Sequence, residues 1–149
     1  MHVKGLKATL VPSVPEFLKN KLEFRTTTDL SEHDAKIFAY ALMKLEEQIK
    51  EEKISLDSVP KTFAIFSDNG EISFELTEET LGVNVHIITY AIKRWDQYKL
   101  EEVGKIAVFL EELCHWMWNI SDEVKVKYKV FEVLERIYPN IKFEQVFKI

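Results

Sequence analysis

The chain has 149 residues, 46% of them hydrophobic and 12% aromatic, with only four glycines and four prolines, so it holds enough apolar side chain for one core and too little Gly or Pro for a disordered or collagen-like chain. A formal net charge of −5 and a pI near 5.5 oppose a general nucleic-acid or anionic-membrane surface, which needs a basic footprint. The single cysteine, Cys114, rules out an intrachain disulfide or a multi-cysteine zinc site, and a cytoplasmic protein is the expectation.

No Pro/Gly/Ser-rich linker, repeat or low-complexity tract divides the chain, so a single domain over 1–149 is expected. The opening MHVKGLKATLVPSVPEFLKN lacks the apolar run of an export signal, and no segment reaches the ~18 apolar residues of a membrane span. The first long helix is expected at about 31–53: Ser31 can cap it, and Phe38, Leu42, Leu45 and Ile49 recur at helical spacing. Thr62–Ser67 and Glu71–Leu76 flank Asp68-Asn69-Gly70, which reads as a hairpin. A third strand is expected over Val83–Ile92, with Asn84, His86, Ile88 and Tyr90 on one polar-tinged face. His86 there either contacts a substrate or simply covers the sheet. A helix follows from about Lys99 to Asn119, then another capped by Ser121-Asp122-Glu123 and ending before Pro139, and Ile141–Ile149 reads as a short strand. The resulting class is α+β, a small mixed or antiparallel sheet packed by about three helices.

The second of these helices is the informative one. Between Ile106 and Trp118 the only polar residues are Glu111, Glu112 and His115. At about 100° per residue, His115 falls about 40° from Glu111, and Glu112 about 100° from it, while Ile106, Leu110, Leu113, Cys114 and Met117 gather on the far side. Gly104 lies in the polar wedge a turn and more earlier, where its missing side chain would leave room for a groove. One reading of the wedge is the solvated stripe of a mostly buried helix. The other is a metal site: Glu111 and His115, one turn apart on one face, can share a divalent ion, with Glu112 beside them as general base. Cys114 points about 100° away from His115 and belongs to the core, as do the aromatics Phe109, Trp95, Trp116 and Trp118. The run KVKYK at Lys125–Lys129 is too short and too balanced by acids to mark a nucleic-acid contact, and no glycine-rich phosphate loop exists.

At Glu111-Glu112-Leu113-Cys114-His115 the sequence resembles the zincin metallopeptidases, whose signature is H-E-x-x-H on a helix. The likeness covers roughly the C-terminal half in the order of its elements: the strand Val83–Ile92, the motif helix, and a helix opening on acidic residues. It implies a peptidase with Glu112 as general base, His115 as a metal ligand, Glu111 at the first ligand position, and Glu123 or Asp122 as third ligand. It also implies a strand that binds extended peptide beside the cleft, where His86 would touch substrate. A carboxylate in place of the first imidazole makes the donor set harder and neutralises the charge of the ion, so the implied cofactor is zinc or a harder divalent ion, and the implied site is either a weak hydrolase or a degenerate, inactive one. The alternative class is a noncatalytic protein-binding or regulatory module, a homodimer among its forms, using the aromatic-rich helix 106–118 as an interface. Peptide or protein partners follow from either reading; nucleic acid and membrane from neither.

Overall fold

The computed structural model describes residues 2–148 and is of the α+β class. In chain order it carries β1 (His2–Val3), β2 (Leu22–Thr26), α1 (Glu32–Glu51), β3 (Thr62–Ser67), β4 (Phe74–Glu75), β5 (His86–Ala91), α2 (Ile92–Gln97), α3 (Glu102–Trp118) and α4 (Glu123–Ile137), with three short 3-10 turns. Both senses of strand pairing occur, in separate sheets. β2, β3 and β5 form a parallel sheet in the order β2-β3-β5, and β1 pairs antiparallel with β4.

The Asp68-Asn69-Gly70 turn forms, with Gly70 at φ 82°, but it does not join a hairpin. β3 is flanked on both sides by parallel partners, so the chain after the turn has no free edge of β3 to pair with and runs on to β1 instead. The third strand is shorter than its pattern at both ends, since residues 83–85 precede the first pairing row at His86 and Ile92 opens α2. Its polar-tinged face is in fact the one turned to the helices: Ile88 and Tyr90 are buried, and only His86, at the strand's start, is exposed. The C-terminal segment forms a 3-10 turn at Phe143–Gln145 where a strand was expected, with Phe143 stacked on Tyr128 and edge-on to Phe131 of α4.

Register explains the core. Leu22, Thr62 and His86 share one row, Phe24, Ala64 and Ile88 the next, and Thr26, Phe66 and Tyr90 the third. Side chains alternate across a strand, so these rows present one face, and Phe24, Phe66 and Tyr90 on it meet Phe38 of α1 and Phe109 of α3. Phe38 and Phe109 stack at 4.5 Å, and the buried Tyr90 hydroxyl donates to the Phe109 carbonyl at 2.7 Å. α3 buries eight of its 17 residues, against eight of 20 in α1 and four of 15 in α4, which makes it the central helix of the layer. Since α3 leaves the sheet at the ends of the strands and runs back, its last turn lies near their starts, where the Trp116 indole donates to the Pro60 carbonyl at 2.7 Å.

Candidate metal centre

The geometry begins at the corner between α3 and α4. Asn119 closes α3 in the left-handed region at φ 50°, ψ 45°, a conformation that Asn tolerates better than most residues. The chain then doubles back so that the Ile120 N–H donates to the His115 carbonyl at 3.2 Å, the long-range bond of a helix C-terminus. The Ile120 carbonyl in turn lies 2.5 Å from His115 Nδ1. A carbonyl can only accept, so Nδ1 carries the proton and a neutral ring keeps its lone pair on Nε2. Metal-binding imidazoles are commonly oriented in this way by a backbone carbonyl.

Two residues later Asp122 caps α4, accepting from the N–H groups of Val124 and Lys125. Those bonds hold its carboxyl below the usual carboxylate range and occupy it at the cap, so Asp122 stays out of the cluster. The cap directs Glu123 toward α3 instead. Glu123 Oε2 is 3.5 Å from His115 Nε2, and ligand atoms of Glu111, His115 and Glu123 all lie within 4.8 Å of one another. An acceptor nitrogen facing an acceptor oxygen at that distance repels it unless a proton or a cation lies between. Two donors each about 2.1 Å from a tetrahedral ion are about 3.4 Å apart, so the His115–Glu123 spacing suits an ion as it stands and Glu111 needs a shift of up to about 1.4 Å. The donor set therefore fits a divalent cation.

The electrostatics of the cluster are mixed. Burial pushes the Glu111 carboxyl above its ordinary range; Lys127 and His115 oppose this, while Glu123 and Glu112 add to it. The Lys127 ammonium is 3.9 Å from Glu111 Oε1 and donates a hydrogen bond to the Glu123 carbonyl at 3.1 Å. Glu112 is exposed and is outside the three-residue cluster. Cys114 is buried in the core, and burial pushes its thiol far up, which removes it from nucleophilic chemistry.

A cleft of about 480 Å³ adjoins this centre, between the last turn of α3, the Ser58–Pro60 segment and the start of β5. His86 and His115 both line it, with Val59, Pro60, Trp116 and Trp118 among its walls. Thr62 fixes the His86 ring. Its hydroxyl contacts both the His86 carbonyl at 3.1 Å and His86 Nδ1 at 2.7 Å, which leaves Nε2 as the ring nitrogen outside that contact. Glu112 is not on the wall of this cleft. Gly104 opens no groove, because a Cβ there would lie 3.4 Å from Leu100, whose side chain already fills the space.

Of the residues singled out in the sequence, Glu111, His115 and Glu123 come together, His86 borders the adjoining cleft, and Glu112 and Asp122 stand apart. Asn119, Ile120, Thr62 and Lys127 were not singled out. An Asn directly after an apolar helical run is a C-terminus signal that could have marked the corner, whereas a backbone carbonyl such as that of Ile120 leaves no trace in a sequence. Comparison with protein families, curated proteins and solved structures finds no match to this chain.

Proposed function

We propose that the chain is a zincin-like domain that binds a divalent cation through Glu111, His115 and Glu123, and that the cleft beside it receives a peptide segment. The observation that carries the reading is the convergence of those three side chains within 4.8 Å around a histidine whose Nδ1 is engaged by the Ile120 carbonyl, so that Nε2 faces the cluster. Glu111 and His115 supply one helical turn of α3, and Glu123 closes the site from α4. A divalent ion held there would supply Lewis acidity toward a peptide carbonyl. His86 makes a hydrogen bond to the peptide backbone through Nε2, while Val59, Pro60 and Trp116 exclude water from the cleft. In a hydrolase Glu112 would have to swing from its exposed position toward the ion before it could take the proton from the attacking water.

A second reading, a noncatalytic module that binds a protein or peptide, draws on one observation: Glu112 is exposed, outside the cluster and off the cleft wall. The cation separates the two readings, since in the second the Glu/His wedge is merely solvated. Metal analysis of protein purified without an affinity tag tests it, with His115→Ala beside the wild type. We expect bound zinc or manganese near one equivalent in wild type, on the order of 10-fold weaker retention or worse in the variant, and an unchanged fold by circular dichroism. Wild type and variant that hold equally little metal, and that are equally indifferent to added ions, would overturn the proposal. Peptide hydrolysis that is lost in Glu112→Gln with metal retained would select the enzyme over the binding module.

A further inference from the structure

We propose that Lys127 is a tethered counter-cation of the Glu111–His115–Glu123 cluster that lowers its affinity for divalent ions by repelling an arriving ion; this rests on the cation-binding reading above. Lys127 lies one turn after Glu123 on the same face of α4, and its side chain is only 23% exposed. Its hydrogen bond goes to the Glu123 carbonyl at 3.1 Å and not to Glu111, whose nearest oxygen is 3.9 Å away. A contact of that length is too long to orient a carboxylate through a hydrogen bond. Lys127 therefore acts on Glu111 through charge alone.

That distinction sets the sign of the effect. A lysine that aimed Glu111 at an ion would strengthen binding, as partners of metal ligands usually do. A lysine that only neutralises Glu111 favours the cation-free state and repels an arriving ion. The hydrogen bond to the helix carbonyl keeps the ammonium near the cluster, so it stays close when the ion enters. A unit charge about 6 Å from a divalent ion, screened as in water, costs about a factor of ten in affinity, and the partial burial of Lys127 makes this a lower bound.

The test is calorimetric titration of zinc and of manganese into chelator-stripped wild type, Lys127→Met, Lys127→Arg and His115→Ala at pH 7. We expect Lys127→Met to bind about 10-fold tighter than wild type, Lys127→Arg to stay close to wild type because the charge is kept, and His115→Ala to weaken strongly. Binding that becomes measurable only in Lys127→Met supports the same conclusion. Equal or weaker binding in Lys127→Met, with His115→Ala weakened, overturns the role of Lys127 and leaves the cation site standing. No binding in any of the four proteins, or no effect of His115→Ala, overturns both. Melting curves monitor folding, and Lys127→Gln serves as a second neutral variant if Lys127→Met is unstable.

Discussion

Glu111 carries the conflict on which the site depends. Burial beside two other carboxylates raises its pKa in the folded chain, with Lys127 offsetting part of the rise. A carboxyl whose folded pKa lies above its unfolded one binds protons more readily in the native state. Its contribution to stability is therefore most favourable at acid pH and declines as pH rises through the folded value. Glu111→Gln removes this slope. In the absence of divalent ions the variant should be the more stable protein at pH 7, with the difference shrinking as pH falls into the carboxylate range, as denaturant melts from pH 4 to pH 8 would show. Added cation should reverse the order, since only wild type has the ligand. A site that is strained when empty and relieved when filled is a usual cost of function.

Among the elements, Glu52 is the point where three helices meet. Immediately after α1, its carboxylate accepts from Gln48 at 2.6 Å, from the Trp118 indole at the end of α3 at 3.2 Å, and from Lys129 of α4 at 3.1 Å. Burial, the largest single influence, pushes the Glu52 carboxyl up, yet the hydrogen bonds from Gln48, Lys129 and Trp118 together outweigh it and hold the group below its ordinary value of 4.5. Here the sign is the opposite of that at Glu111. The stabilisation is complete above the ordinary carboxylate range and is lost as pH falls through the folded value. Discounted for solvent screening of so exposed a carboxylate, Glu52→Gln should cost about 0.5–1 kcal/mol at neutral pH, with the deficit closing in acid, a pattern read from urea midpoints at several pH values. The helices that meet at Glu52 were legible from local signals. Ser31 accepts from the Asp34 N–H and Asp122 caps α4, as expected, because a cap depends on residues within one turn. Strand pairing was not legible in the same way. β2 has the right alternation in Leu22, Phe24 and Thr26, but its partner β3 begins at Thr62, and nothing within five residues can announce a parallel neighbour across an intervening helix.

For the whole molecule, the α+β class followed from periodicity, and the sense of the main sheet came from non-local pairing that no window contains. The cluster divides along the same line. Glu111 and His115 lie one turn apart and could be placed together from helix geometry, whereas Glu123 needed the Asn119–Ile120 corner, and Lys127 needed the crossing of α4 over α3. α3 is the helix most deeply set in the core, through Phe109 against Phe38 and Tyr90, so the site is anchored to the best-packed helix of the chain. Anything that binds α3 and α4 together should then stabilise the entire chain. A cation present at about 100 times its dissociation constant adds about 2.7 kcal/mol, which for a chain of this size corresponds to a rise in Tm on the order of 5–10 °C. The rise should vanish in His115→Ala and persist in Glu112→Gln, since Glu112 is outside the cluster. A scan in which Glu112→Gln loses the shift while His115→Ala retains it would mean that the ion sits at the exposed carboxylate and not between the helices.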